Sequence, residues 1–395
     1  MNSNIFRRID RHIDRQIDQR TWAIAFACFS MFVLGMSDNI RGPLFPELLT
    51  HFKLTNAQGS VSFAVSSAAA LFGNIMASYL LKKITLSRLL CISVFLMGFG
   101  LLIMGISPTY FVFLAGSIVF GASMGLVALA QNVLVAESAA GKSQSKALAG
   151  LHGIYGLSSL LAPMVASYAA ILMGFWQAAF LVAATTALAV ATLATVAKSE
   201  PAFKVHSPDP ELKNNKISKS ALLVYGGVLA FYVVAEILVS SRLALYMRTY
   251  FKMDLKESSW YVTSFFICLL LGRILFALKA FKAKLRTQLN ISLVAAIVCL
   301  SLGLTIHPFF LVVLGFAMAP FYPMSVAYIS EQSGIFQRQF IAFAMSFQSF
   351  CVIAMHLGVG YLTDRFGLFY AFEVGLISLV LSLVCVNLHP KISKT

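Results

Sequence analysis

The sequence predicts an all-α membrane protein, with twelve transmembrane helices arranged as two pseudo-symmetric six-helix bundles. Three observations predict it. Hydrophobic residues make up 59% of the 395-residue chain and charged residues only 11%, with a mean hydropathy of +0.83. That is more apolar surface than a fold dissolved in water can hide. The apolar runs come in lengths near the ~20 residues that cross a bilayer. Finally, the two flanks of a polar segment repeat each other. His51-Phe52-Lys53-Leu54 returns as Tyr250-Phe251-Lys252-Met253, and Leu71-Phe72-Gly73-Asn74 as Leu270-Leu271-Gly272-Arg273, both 199 positions on.

Residues 1–20 carry a four-residue period: Ile9-Asp10-Arg11-His12, Ile13-Asp14-Arg15-Gln16, Ile17-Asp18-Gln19-Arg20. The isoleucines share one stripe of a helix, and Arg7/Asp10, Arg11/Asp14 and Arg15/Asp18 are i,i+3 pairs. This is read as an amphipathic helix on the cytoplasmic membrane surface that orients the protein, with partner binding as the alternative. The first bundle, 21–197, holds apolar spans at 22–49, 57–81, 86–106, 110–136, 147–173 and 176–197. The linker, 198–218, mixes Pro201, Pro208 and Pro210 with Lys, Asp and Asn and reads as a flexible cytoplasmic tether. The second bundle, 219–390, holds spans at 220–247, 259–278, 288–306, 309–330, 339–362 and 369–388. Such a duplicated membrane half is the mark of a transporter that rocks one half against the other around a central site.

The net charge of +15 would suit a nucleic-acid binder, but its placement argues for topology instead. The two tails, the linker and alternate loops hold 22 of the 30 Lys and Arg, the opposite loops hold 5, and 3 lie within spans. By the positive-inside rule both termini and the linker are cytoplasmic. The expected location is a bacterial inner (plasma) membrane, the expected partners are lipid and a small-molecule substrate, and no nucleic acid is expected. All six cysteines, Cys28, Cys91, Cys268, Cys299, Cys351 and Cys385, fall within spans, which argues against disulfides and a cysteine metal site. No cleavable signal peptide is expected, because the first apolar run is too long for one. No phosphate-cradling loop, zinc spacing or nucleophile elbow occurs, so no cofactor or metal is expected.

Twelve spans, a 6+6 duplication and a long central cytoplasmic loop resemble the major facilitator superfamily over essentially the whole chain. Phe52-Lys53-Leu54-Thr55-Asn56 with Leu81-Lys82-Lys83-Ile84-Thr85 is similar to the fucose-proton symporter branch. Gly150-Leu151-His152-Gly153-Ile154-Tyr155-Gly156 with Gly174-Phe175-Trp176-Gln177-Ala178-Ala179-Phe180 resembles that branch and its sodium-glucose relatives. The chain also departs from the family pattern. The superfamily's Gly/Asp-Arg loop signature is degenerate at Tyr79 to Arg88, with no acid, and the fucose symporter's proton carboxylates would fall near Ala128 and Gly42. An intact-looking Gly360-Tyr361-Leu362-Thr363-Asp364-Arg365-Phe366-Gly367 lies at the opposite membrane side and is read as a turn. Ala162-Pro163-Met164-Val165-Ala166-Ser167 faintly echoes the antiporter signature.

Ionisable groups deep in hydrocarbon cost roughly 2.5–3.5 kcal/mol on insertion scales, so they are functional candidates. Asp38 in span 1 and Glu236 in span 7 are the deepest carboxylates. The repeat maps Asp38 to position 237, one residue from Glu236, and the resemblance implies that both helices line the cavity. Both are read as proton-coupling groups. The alternative for Asp38 is an ion pair with Arg41 at i+3, whereas Glu236 has no basic residue at i±3 or i±4. His152 is the third proton-coupling candidate, expected at the depth of Gln131 and Asn132, with an inter-helix hydrogen bond as its alternative.

The expected substrate-binding residues are Asn39, Arg41, Gln131, Asn132, Tyr232, Tyr322 and Gln348. Tyr322 stands between Pro320 and Pro323, where freed backbone is tolerated only in protein or beside a cavity. Arg41, Arg242 and Arg273 could clamp an anion; the alternative has Arg41 and Arg242 snorkelling or closing the outer gate. Glu137 and Glu331 resemble the superfamily's inner-gate acids, with Arg88 and Arg286 as partners. The reading is a monomeric secondary active transporter of a small polar, sugar-like solute, driven by protons or alternatively by sodium. The rival is a proton-driven efflux antiporter for drugs, metabolites or organic anions. A second rival is a transport-dead receptor or a membrane enzyme; an enzyme would need a catalytic set converging in one cavity, whereas the carboxylates are spread over both halves, so no enzyme is expected.

Overall fold

The computed structural model describes residues 3–139, 144–196, 217–278, 283–390 and 392, with the side chains of 3–19, 145, 196 and 277 set aside. In the first half α1 is Ser3–Asn39, α2 Phe45–Phe52, α3 Asn56–Leu80, α4 Leu86–Gly105, α5 Tyr110–Ser138, α6 Gln144–Met173 and α7 Ala178–Val196. The second half has α8 Lys219–Phe251, α9 Leu255–Leu278, α10 Leu285–Thr305, α11 Phe309–Met318 and α12 Phe321–Ser333. A 3-10 turn, Gly334–Phe336, leads into α13 Gln337–Phe366 and α14 Leu368–Asn387. The linker residues 198–216 and the amphipathic stripe read in residues 1–20 lie outside what is described in side-chain detail.

Among the described residues, 11 helical stretches are long and apolar enough to cross a membrane. One of them, Phe309–Phe366, runs for 58 residues, more than twice the ~20 a crossing needs. It divides at the Gly334–Phe336 turn into α11–α12 and α13, so this is a multi-pass membrane protein with a twelfth crossing inside that stretch.

The duplication is visible in the backbone. Asn56 and Leu255, Leu86 and Leu285, and Tyr110 and Phe309 open equivalent helices, each pair 199 positions apart. Lys53 and Lys252, the same distance apart, carry the only positive φ values outside glycine among the described residues, 53° and 57°. Each is the left-handed cap that ends α2 or α8. Gly73 and Gly272 are a further equivalent pair, both set where helices touch. A methyl at Gly73 would stand 2.1 Å from Ala122 O on α5, and one at Gly272 would stand 2.4 Å from Ala319 Cβ beside α11. Only a hydrogen fits at such approaches, which is how membrane helices gain contact without a hydrophobic driving force.

Two breaks depart from straight spans. Residues 40–44 form a turn between α1 and α2, where Pro43 has no N–H to continue the ladder. The span read at 309–330 is likewise two helices, parted at Ala319-Pro320, and Pro323 is accommodated in the first turn of α12.

The Cα framework separates into two compact units that do not follow the sequence halves. One comprises residues 1–38, 69–158 and 180–207, the other 39–68, 159–179 and 208–395. In the first, α4 packs on α5. In the second, α8 packs on α13, α14, α9, α12 and α2, making it the central helix of that unit. The α2–α3, α6–α7, α8–α9 and α13–α14 connections all belong to the second unit.

Candidate functional site

Glu236 lies on α8, and its partner comes from the neighbouring helix. Arg273 Nη2 on α9 donates to Glu236 Oε1 at 3.4 Å, with side-chain exposures of 29% and 17%. The sequence spacing suggested a carboxylate without a cation, because i±3 and i±4 report only on one helix. The tertiary packing of α8 on α9 supplies what spacing omits. At 3.4 Å the contact is longer than a tight charge-assisted bond of about 2.7–2.9 Å, so the pair is associated without being locked.

Two tyrosines frame this pair. Tyr232, one turn before Glu236, is fully buried; its hydroxyl donates to Met318 O at 2.8 Å and its ring stacks on Phe321 with centroids 4.3 Å apart. Its hydroxyl therefore serves the α11–α12 break in this structure. Tyr322, half-buried on α12, lies within electrostatic reach of Glu236 and Arg273. On α13, Gln348 has a buried Oε1 with no hydrogen-bond partner.

In the first unit, Asp38 at the end of α1 accepts a hydrogen bond from Tyr155 Oη on α6 at 3.1 Å. Gln131 is fully buried on α5, its Nε2 against Met31 Sδ at 3.1 Å and its Oε1 without a partner. Asn132 donates to Ala128 O of its own helix at 2.7 Å. His152 is exposed on α6. The NH2 groups of Gln131 and Asn132 thus go to Met31 and to the backbone of α5.

A third cluster lies in the second unit. Asn39 Nδ2 donates to Ser159 Oγ at 2.9 Å. Arg242 on α8 is 1% exposed, so it does not snorkel as one sequence reading had it. Position explains the correction: Arg242 falls nine residues before the end of α8, roughly 13 Å at 1.5 Å per residue, beyond the reach of its side chain. Its Nη2 donates to Ser60 Oγ at 2.9 Å, and its guanidinium carbon stands 3.9 Å from the Phe45 ring centre and 4.8 Å from that of Phe63. Arg41 also stands 4.8 Å over Phe63. His356 on α13 stacks on the same ring with centroids 5.0 Å apart, and is 2% exposed. Arg242 Nη1 and His356 Nδ1 have no hydrogen-bond partner. A ring face contributes about 0.5–2 kcal/mol to a cation, against several kcal/mol for taking the ion out of water. Two rings and one hydroxyl do not offset that cost, and the second arginine nearby adds to it. Gly42 makes the cluster possible, since a methyl there would stand 2.9 Å from Ser240 O on α8.

The connections of this unit are tied together around the cluster. Asp364 accepts from Asn56 N and Asn56 Nδ2 at 2.9 Å each and from Ala57 N at 2.8 Å, capping the start of α3 from the end of α13. The segment read as a turn, residues 360–366, is thus the last part of α13, and its acid is a helix cap. The start of α3 leaves orphan N–H groups: Thr55 Oγ1 accepts from Gln58 N at 3.2 Å, and the Asp364 carboxylate accepts from those of Asn56 and Ala57. Arg248 on α8 pairs with Glu47 on α2, and Tyr250 Oη accepts from Phe369 N at 3.1 Å.

At the opposite helix ends, Glu137 sits in the last turn of α5 and Glu331 is exposed near the end of α12. Arg88 is exposed at the start of α4, with its N–H held by the Thr85 cap. Arg286 does not serve Glu331. It donates to Asn387 Oδ1 at 2.9 Å and to Asn387 O at 3.4 Å, and it meets His389, so it caps the carbonyl end of α14.

Residues 27–335 match the Major Facilitator Superfamily. The chain belongs to that superfamily. It is therefore a transporter and not an enzyme, built on the superfamily's fold. No curated protein matches its sequence. Solved structures match in fold over nearly the full length. A bacterial homolog of the human lysosomal transporter Spinster, inward-facing and occupied, has TM-score 0.70 at 11% identity, covering 93% of this chain and 95% of that one. A D-xylose-proton symporter gives 0.72 at 14%, covering 92% and 96%. A mutant peptide transporter POT in complex with alafosfalin gives 0.75 at 12%, covering 92% and 93%.

Several residues of these clusters escaped the sequence reading, Ser159, Phe45 and Phe63 among them. His356 is a single polar residue in an apolar run, and Ser60 is one of several polar residues with Gln58, Ser62 and Ser66, so nothing local marks either. Tyr155 sits within the Gly150–Gly156 motif, but its partner Asp38 is 117 positions away.

Proposed function

We propose that this superfamily member is a proton-coupled secondary transporter of a small hydroxylated, sugar-like solute, with Glu236 as the group that takes up and releases the proton. The observation that carries the reading is the Glu236–Arg273 pair. A carboxylate part-shielded from water and held loosely by one arginine can exchange that partner for a proton, and each protonation state then favours a different arrangement of α8 on α9. Tyr322 and the unpartnered Gln348 Oε1 offer the solute neutral hydrogen-bonding edges, which suits hydroxyl groups better than charge. A D-xylose-proton symporter is among the structures that share this fold, the same pairing of solute and ion. The basic asymmetry of the loops supports a bacterial inner membrane with both termini cytoplasmic, and the chain is proposed to act as a monomer. The rival, proton-driven efflux of an organic anion, draws its support from Arg242.

Reconstituted in vesicles with an imposed pH gradient, the protein should accumulate its solute, and Glu236→Gln should abolish that accumulation while leaving solute exchange intact. Glutamine copies the shape and hydrogen bonding of the protonated acid, so binding survives and coupling does not. Normal accumulation by Glu236→Gln would place the proton site elsewhere. Accumulation that follows a sodium gradient instead would replace the ion and keep the mechanism.

A further inference from the structure

We infer that Arg242, His356 and Arg41 form a binding site for a compact monoanion, separate from the Glu236–Arg273 pair and independent of whether that pair couples protons. The cluster is assembled from four elements of one unit: α2 and α3 give Phe45, Ser60 and Phe63, α8 gives Arg242, and α13 gives His356. Arg41 enters from the turn between α1 and α2. Arg242 is the largest fully buried side chain among the described residues, and it has no carboxylate partner among them. Its Nη2 is used by Ser60, whereas its Nη1 and the Nδ1 of His356 have no partner.

A buried guanidinium with one satisfied and one unsatisfied edge is a fork awaiting an acceptor, and the aromatic walls exclude the water that would otherwise compete. An anion held there would satisfy Nη1 directly and accept from His356 in the tautomer that protonates Nδ1. The Arg41 charge over the same ring adds to its attraction. Phe45 and Phe63 meet edge to face at 5.6 Å, and the two unpartnered nitrogens, Arg242 Nη1 and His356 Nδ1, offer donors that a carboxylate or a halide can accept. Those two anions share the site chemistry but come from different sources, the solute's own acid group or the salt of the medium.

The test uses the purified full-length protein, with melting temperature read against added anion. Sodium sulfate, whose anion is doubly charged, keeps ionic strength constant, and the probes are chloride, acetate and D-gluconate. We expect a saturable rise in melting temperature with chloride or with the carboxylates. Saturation by chloride alone assigns a halide, and saturation by acetate or gluconate assigns an acid-bearing solute. Arg242→Gln should remove the rise, Arg242→Lys should weaken the anion at least tenfold by deleting the fork while keeping the charge, and His356→Asn should weaken it several-fold. Glu236→Gln should leave the rise in place, which separates this site from the coupling site. If Arg242→Gln does not fold, Arg242→Lys and His356→Asn carry the decision. No rise with any probe in the unmodified protein, or a rise unchanged in both Arg242→Lys and His356→Asn, would overturn the inference.

Discussion

Glu236 and Asp38 fall one position apart under the 199-residue repeat, yet the two halves treat their acids differently. Glu236 faces a guanidinium from α9. Asp38 accepts from the phenol of Tyr155. The residue equivalent to Arg273 in the first half is Asn74, exposed on α3. The backbone kept its register, as the paired left-handed caps at Lys53 and Lys252 show, while the position equivalent to Arg273 carries an amide instead of a guanidinium. Both acids have phenols beside them, Tyr232 and Tyr322 for Glu236 and Tyr155 for Asp38. The distinguishing group is Arg273, whose pairing with Glu236 weakens when the acid takes a proton, while a phenol can bond either state. Under the proposed function coupling falls to Glu236 in the second half and a positioning part to Asp38 in the first, and variants at Arg273 and Asp38 test that division.

The strongest way to break that assignment is at Arg273. Removing one partner of a buried ion pair costs roughly 3–5 kcal/mol, and this pair is partly open to water, so the expected loss is smaller. Arg273→Gln should still slow gradient-driven accumulation at least tenfold, measured in vesicles with an imposed pH gradient. Combined with Glu236→Gln it should do no further damage, because the two side chains act as one unit. Additive losses in the double variant would mean that the arginine works through something other than Glu236.

Asp38→Asn sharpens the comparison from the other side. Asparagine retains an acceptor for Tyr155, and the difference between a charged and a neutral acceptor is about 1 kcal/mol. Accumulation should therefore persist within about fivefold, as one kcal/mol implies, with most of the change in the apparent affinity for solute. Tyr155→Phe should behave alike. Loss of coupling in Asp38→Asn as complete as that expected of Glu236→Gln would make the two halves equivalent and undo the distinction.

How far the sequence could reach is shown by the same residues. Composition, span length and the repeat predict the all-helical membrane fold, because the bilayer demands about 20 apolar residues per crossing whatever the neighbours are. The repeat also placed Asp38 and Glu236 at one depth, since it is a statement about register along the chain. Partnership is not. Arg273 is 37 positions from Glu236, Ser60 is 182 from Arg242, and Asp364 is 308 from Asn56. No helical period links such distances, so Arg242 was open to being read as a surface cation and Asp364 as part of a turn. Proline chemistry was legible in part: Pro320 and Pro323 marked the irregular backbone, but the α11–α12 break and its use by Tyr232 depend on what packs against it.

The smallest expected effect lies at Asp364, and it tests whether the tie between α13 and α3 is separate from both acids. The carboxylate accepts from two backbone N–H groups and one side-chain amide at the start of α3, a capping role worth about 1 kcal/mol. Asp364→Asn keeps one acceptor oxygen and sets an amide against the N–H groups it formerly received. The expected outcome is a roughly fivefold rise in the fraction of molecules with this end loosened, the factor that about 1 kcal/mol implies. A cysteine at Ser62, buried in α3 at 4% exposure, reports it through its rate of modification in a background where the six native cysteines are replaced. Because neither Glu236 nor Arg273 touches this cap, accumulation per unit of pH gradient should not change even as labelling quickens. Unchanged labelling would mean that the Asp364 bonds do not hold this end closed, and labelling that quickens together with a loss of coupling would tie the cap to the Glu236–Arg273 pair.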